Sequence, residues 1–201
     1  MIATLNHARR AILKGLTAVG IVGLAPVLPR LGHAQTRLLL TPTCEDDDEP
    51  TPAQTEGPYF TANSPERATL REPGMEGTPI ALVGLVFTQS CIPIPGVMVE
   101  LWHADDQGVY DNEGFRLRGH QFTGADGSYR FETIVPGLYP GRTRHLHAKF
   151  QAPNRPVLTT QFYFPGEPDN DRDRIYRSEL LLKIDDGPER VARFDTVLDI
   201  S

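Results

Sequence analysis

The feature that most constrains this chain is its punctuation. From residue 80 onward the sequence breaks into short runs rich in Val, Ile, Leu, Phe and Thr: Ile80–Thr88, Gly96–His103, Ser128–Ile134, His145–Gln151, Val157–Phe164, Leu180–Ile184 and Val191–Leu198. Turn signals stand between them, among them Asp126-Gly127, Pro136-Gly137, Pro140-Gly141 and Asp186-Gly187. Gly opens backbone conformations closed to other residues, and Pro presets one turn angle, so such pairs reverse the chain rather than continue it. The 18 Gly and 18 Pro of the 201 residues supply these breaks and argue against a helical bundle. There is no internal repeat and no long stretch of helical periodicity. Seven short strands so separated predict an all-β domain over residues 54–201, an antiparallel β-sandwich. Trp102 reads as core, and the charged, irregular stretch 165–175 as a long surface loop.

The N-terminus follows another logic. Residues 1–34 contain no Asp or Glu and run from Arg9-Arg10-Ala11-Ile12-Leu13-Lys14 through an apolar stretch, Gly15 to Leu28, to the small-residue site Gly32-His33-Ala34. This is the layout of a secretory signal peptide, and the paired arginines resemble the twin-arginine type. A basic amphipathic helix or a membrane anchor is the competing reading. Loss of residues 1–34 removes Arg9, Arg10, Lys14 and Arg30 and takes the formal charge from −6 to −10. A chain so acidic is a poor partner for nucleic acid, because phosphate contacts need clustered Lys and Arg. The rest of the chain has no segment suited to stable membrane insertion. Residues 35–53, with Glu45-Asp46-Asp47-Asp48-Glu49-Pro50, read as an acidic, extended, poorly ordered arm. Cys44 and Cys91 are the two cysteines; in an oxidising compartment they can bridge, or they can be two unrelated thiols.

Chemistry enters with His145-Leu146-His147. On a strand, residues i and i+2 share a face, so the two imidazoles converge and can hold one metal. By itself the pair fits a solvated strand face equally well. Tyr139 lies in the turn Pro136-Gly137-Leu138-Tyr139-Pro140-Gly141, and Tyr110 follows Gly108-Val109 beyond the strand ending in Leu101-Trp102-His103. Both border the sheet, and each alone could be an ordinary packing residue.

Taken together, these residues resemble the catalytic core of the intradiol dioxygenases, the catechol and protocatechuate enzymes. The resemblance rests on Val99-Glu100-Leu101-Trp102-His103-Ala104-Asp105, Gly108-Val109-Tyr110, Thr123-Gly124-Ala125-Asp126-Gly127-Ser128-Tyr129-Arg130-Phe131 and Pro136-Gly137-Leu138-Tyr139-Pro140. It continues through Arg142, His145-Leu146-His147 and Thr160-Gln161-Phe162-Tyr163-Phe164, with Thr55-Glu56-Gly57-Pro58-Tyr59-Phe60 upstream. It covers most of residues 52–180.

The resemblance implies a prealbumin-like sandwich with long active-site loops and one Fe(III) per chain. Tyr110 and Tyr139 would be phenolate ligands and His145 and His147 imidazole ligands. Phenol has a pKa of about 10, so a strong Lewis acid must hold it ionised at neutral pH. A catechol and O2 would be the substrates, and a muconate-type diacid the product. Tyr139 would leave the metal and accept a substrate proton. Arg142 would stabilise negative charge on the ring; Arg144 is its rival, although on a regular strand Arg144 faces away from His145. Gln161 matches a glutamine near the metal, or is an ordinary strand residue. Thr55, Pro58 and Tyr59, with Arg142, would line the substrate pocket, and Gly141 hints at a roomier one. His103 and His120 would be structural. The chain is expected to lack the helical dimerisation region of the catechol enzymes; its oligomeric state is open. Two other classes compete: a non-catalytic, prealbumin-like sandwich binding a ligand or protein, and a zinc protein.

Overall fold

The computed structural model describes residues 49–200. The leader, most of the acidic arm and Cys44 lie outside the described residues, and Cys91 is disulfide-bonded. No helix among the described residues is long and apolar enough to cross a membrane.

The domain is a sandwich of two sheets, built from nine strands where seven were expected. They are β1 (Pro79–Thr88), β2 (Met98–Trp102), β3 (Arg118–Phe122), β4 (Ser128–Ile134), β5 (His145–Gln151), β6 (Leu158–Tyr163), β7 (Lys183–Asp186), β8 (Arg190–Arg193) and β9 (Thr196–Leu198). One sheet has the order β3-β2-β5-β6, antiparallel throughout. The other has the order β4-β1-β8-β7, with β9 also on β1.

Each departure from the expected strands has a cause. β3 was missed because Arg118-Gly119-His120-Gln121-Phe122 is a mostly polar edge strand without the apolar run that marks an interior one. Residues 178–180 form a short 3-10 turn, so the strand expected at 180–184 starts later, at Lys183. The run expected at 191–198 is two strands, both parallel to β1, so the sandwich is not wholly antiparallel. The break falls at Phe194 and Asp195: Asp195 takes the Leu85 amide at 3.0 Å, and Tyr129 Oη donates to the Phe194 carbonyl at 2.7 Å. Gly84 permits this, because a Cβ there would stand 1.8 Å from the Phe194 carbonyl oxygen.

Two loops are better anchored than their composition suggests. Thr51, at the end of the acidic arm, is buried and exchanges hydrogen bonds with Val197, both 2.9 Å. The stretch 165–175 holds a 3-10 turn at Asn170–Arg172 and buries Asn170, whose Oδ1 accepts from Thr143 Oγ1 at 2.7 Å.

Period-two alternation places the core. On β5, Leu146, Ala148 and Phe150 are fully buried between the sheets with Val99, Leu101, Phe131 and Phe162. His145, His147 and Lys149 therefore point out of the same strand on the other side. That outer face is the one that matters for function.

Candidate metal centre

Strand register lines up an unusual row on the outer face of the β3-β2-β5-β6 sheet. Arg118 pairs with Trp102, Trp102 with His147, and His147 with Gln161, while His145 pairs with Tyr163. Trp102 stacks on the His147 ring, with centroids 4.9 Å apart and planes at 11°. Such a face would normally be wet. Here Trp102, Arg118, His145, His147 and Gln161 are all buried, because the segment 55–60 and the loops carrying Tyr110 and Tyr139 lie over them.

Side chains at the centre of the row approach one another closely. His145 Nδ1 donates to the Thr143 carbonyl at 2.6 Å, so its Nε2 carries a lone pair. That Nε2 is 3.2 Å from His147 Nε2 and 3.4 Å from Tyr110 Oη. His147 Nδ1 is buried without a hydrogen-bond partner. The Tyr139 ring stands edge-on to Tyr110, centroids 5.9 Å apart, and its oxygen is 2.6 Å from Tyr59 Oη. Tyr59 also stacks on Tyr110, at 4.6 Å.

Charge and burial set the protonation states. Burial, reinforced by Arg142, lowers His145 to about 4. Burial and the neighbouring His145 hold His147 well below the usual imidazole value. Both rings are thus neutral donors at pH 7. Burial pushes the Tyr110 phenol upward, against the pull of Arg142 and Arg118. Ionising it at neutral pH therefore takes more positive charge than those two guanidiniums provide. The Tyr59 phenol is raised by its hydrogen bond to the Tyr139 hydroxyl.

The donor set fits a cation. His145 Nε2 stands 3.2 Å from the His147 nitrogen and 3.4 Å from the Tyr110 oxygen, the spacing of neighbouring ligands whose bonds to one ion are about 2 Å. Among the described residues no cluster of three or more His, Cys, Asp and Glu could hold a metal, so the tyrosines are what enlarge this set. Hard phenolic oxygens favour a highly charged ion over zinc, whose structural sites use Cys and His.

Arg142 and Arg144 diverge. Arg142 sits beside the centre, held by Asp173 (Nε to Oδ2, 2.7 Å) and by Gln161 (Nη2 to Oε1, 2.7 Å). Arg144 turns away to Glu167 and the Pro136 carbonyl. Gln161 passes its amide hydrogen to the Thr55 carbonyl at 2.8 Å, linking Arg142 to the covering segment. Thr55 and Pro58 are exposed on that segment, while Tyr59 is half-buried against Tyr110. Gly57, at φ +73°, lets it pass close over the imidazole, for a Cβ there would be 3.3 Å from His147 Cε1. Gly141 lines a pocket of about 430 Å3 with Leu138, Tyr139, Arg142, Arg172 and Asp173. His103 lies outside the centre, bonded to the Ala104 carbonyl and Thr133 Oγ1, and His120 bonds Ser64.

Sequence reasoning missed several participants. Arg118, 1 % exposed, donates to the carbonyls of Asp111 and Tyr59 and so ties the Tyr110 loop to the covering segment. A lone Arg in a polar run gives no sign of this. Asp173, inside the loop read as surface, orients Arg142 and takes the Thr143 amide at 3.0 Å. Lys149 was passed over; its Nζ lies 2.5 Å from a Glu56 carboxylate oxygen and 3.1 Å from the Phe60 ring centre, clamping the covering segment to β5. Tyr163 could have been found, because alternation puts it on the same face as Gln161; its hydroxyl oxygen lies 3.2 Å from Gln161 Oε1 and 3.0 Å from the Ile175 carbonyl.

Comparison with known proteins agrees with this architecture. A family model described as Dioxygenase matches residues 55–199. The chain is similar to the hydroxyquinol 1,2-dioxygenase of Nocardioides simplex, 29% identical over 194 residues that cover 77% of this chain and 66% of that protein. Among solved structures, it resembles the dioxygenase domain of a dioxygenase–carbohydrate-binding protein fusion from Streptomyces sp. SirexAA-E (TM-score 0.74, 55% identity, 76% of this chain and 100% of that one). It also shares the fold of an intradiol ring-cleavage dioxygenase from Tetranychus urticae (TM-score 0.69, 23% identity, 76% and 95%). The chain spans between about half and two thirds of the length of the curated relatives it matches. With the match extending over most of the described domain, the chain belongs to the intradiol ring-cleavage dioxygenase family.

Proposed function

We propose that this protein is a non-haem ferric dioxygenase that opens a catechol-type ring between its two hydroxylated carbons, incorporates both atoms of O2 and forms a muconate-type diacid. The observation that carries this reading is the approach of His145 Nε2 to both His147 Nε2 and Tyr110 Oη, with Tyr139 at the rim. Tyr110, Tyr139, His145 and His147 would hold one Fe(III). When bound, ferric iron would supply Lewis acidity, drawing electron density from the chelated ring and readying a ring carbon for O2.

The chain's own residues do the rest. Tyr139 Oη accepts a proton from the incoming catechol, and Tyr59 holds that oxygen in place at 2.6 Å while the proton moves. Arg142, kept rigid by Asp173 and Gln161, presents positive charge to the ring as negative charge develops there. The Trp102–His147 stack and the covering segment keep bulk water off the donors, which strengthens each of these interactions. A non-catalytic sandwich would leave the buried, mutually facing donors without a purpose.

Iron reconstitution tests the reading. Tyrosinate bound to ferric iron absorbs visible light, so the loaded protein is expected to be red-brown and to consume O2 on adding catechol. Tyr110→Phe should lose both signals. A colourless protein that retains zinc in preference to iron would overturn the assignment.

Export is part of the same proposal. It rests on the leader-like residues 1–34 and is supported by the disulfide-bonded state of Cys91, which suits an oxidising compartment. Fractionation of producing cells checks it: mature protein confined to the cytoplasm would count against export.

A further inference from the structure

The segment 55–60 covers the donors, and its fastenings are of two kinds. Buried side chains on two strands hold its backbone: Arg118 Nη1, on β3, donates to the Tyr59 carbonyl at 2.6 Å, and Gln161 Nε2, on β6, to the Thr55 carbonyl at 2.8 Å. Lys149, on β5, reaches two of its side chains instead. The ammonium lies 2.5 Å from a Glu56 carboxylate oxygen and 3.1 Å from the centre of the Phe60 ring. Between these contacts comes Gly57, the residue that passes over His147, where a Cβ would stand 3.3 Å from Cε1. Phe60 in turn stands edge-on to Trp102, centroids 5.0 Å apart, and Trp102 stacks on His147.

Of the three fastenings, the one made by Lys149 is open to solvent. Arg118 and Gln161 are 1 % and 0 % exposed, whereas the Glu56 side chain is 46 % exposed. An ion pair with one partner in solvent is screened by salt and holds less firmly than a buried bond, and the ammonium–ring contact adds to it. The cover is therefore weakest where Glu56 holds it, and local opening of a protein begins at its least stable contacts. An ion in a buried site leaves only when water or a chelator reaches its ligands, so opening of this segment precedes exchange.

Resting on the functional reading above, we propose that Lys149 is a positioning residue: through Glu56 and Phe60 it keeps the segment closed over His147, and the strength of that fastening sets how fast the centre exchanges its ion with the surroundings. The residue two places beyond a metal ligand, on the same face of the same strand, thus controls access to that ligand.

Trp102 supplies a reporter that needs no metal. It is the single Trp of the chain, it is 1 % exposed, and its Nε1 is buried without a hydrogen-bond partner. Exchange of that indole hydrogen with solvent is therefore limited by burial and not by a hydrogen bond. In the full metal-free chain, proton NMR should show Glu56→Gln raising the indole exchange rate about threefold and Lys149→Met, which loses both contacts, about tenfold. Loss of iron from the loaded chain to EDTA, followed by the fading of its colour, should accelerate by the same factors. Lys149→Arg, which keeps the charge and the ring contact, should leave both rates near those of the parent. High salt should speed indole exchange in the parent and leave Glu56→Gln unchanged. Glu56 is at the surface, so its variant is expected to keep the unfolding midpoint of the parent. Unchanged indole exchange in Glu56→Gln and Lys149→Met, or an increase only in step with a lower unfolding midpoint, overturns the proposal, and so does faster indole exchange without faster iron loss. If the chain retains no iron at all, the functional reading fails instead, and indole exchange of the metal-free chain still decides whether Lys149 holds the segment down.

Discussion

The two sheets share one core but differ on their outer faces. The β4-β1-β8-β7 sheet is structural. Its central strand β1 is buried along most of its length, and Gly84 gives way to the chain break at Phe194 and Asp195. The β3-β2-β5-β6 sheet gives the core the same kind of apolar face but carries Arg118, Trp102, His147 and Gln161 on its back. That back face is buried by loops and not by a third sheet. A single strand, β5, thus serves two purposes with alternate residues, and the energetic consequences of altering it should split by parity.

The largest expected effect tests that split directly. His147→Ala should abolish the visible iron absorption and reduce turnover by roughly a thousandfold or more, since several kcal/mol of metal-derived stabilisation would go with the ligand. Phe150→Ala, on the opposite face of the same strand, should cost about 3–5 kcal/mol of stability, because it empties a fully buried core position. The protein that remains folded should keep the iron spectrum. Denaturant titration beside a visible spectrum measures both. If the two variants gave the same profile, the division of β5 into a core face and a chemical face would be wrong.

Arg142→Ala sharpens the comparison within the chemical face. The Arg142 guanidinium is held by Asp173 and Gln161 and is not one of the proposed metal ligands. The variant should retain iron and colour while kcat falls by about 10²–10³, the loss typical of one electrostatic donor. If Arg144→Ala produced this phenotype instead, the roles of the two arginines would be exchanged.

The smallest effect concerns the loop that holds Arg142. Burial raises the Asp173 pKa, but hydrogen bonds from Arg142 and from the Thr143 and Ile175 amides more than offset this and leave it below the ordinary carboxylate value. A carboxyl lowered by folding stabilises fully above its unfolded value of about 3.9 and stops doing so as the pH falls through the lower folded value. Asp173→Asn should therefore flatten the acid limb of stability below about pH 4 and lower kcat by about tenfold, a typical cost of losing an orienting partner. Thermal melts across that range, with parallel O2 uptake, would show it.

Much of this was legible in one dimension. Apolar runs cut by Asp-Gly and Pro-Gly pairs predict a sandwich, because alternation and turn chemistry are local properties. The spacing His145-Leu146-His147 places two imidazoles on one side of a strand for the same reason. The polar edge strand β3 was not legible, because an edge strand needs no apolar run, nor was the parallel placement of β8 and β9, which depends on a contact between Gly84 and a residue more than a hundred positions away. Arg118, Lys149 and Asp173 acquired roles only when register and loop packing brought distant segments over the outer face of one sheet. The sequence by itself determined which residues alternate and where the chain must turn. Tertiary structure alone decided what covers the back of the β3-β2-β5-β6 sheet, because burial of a polar face depends on long-range closure that no local pattern encodes.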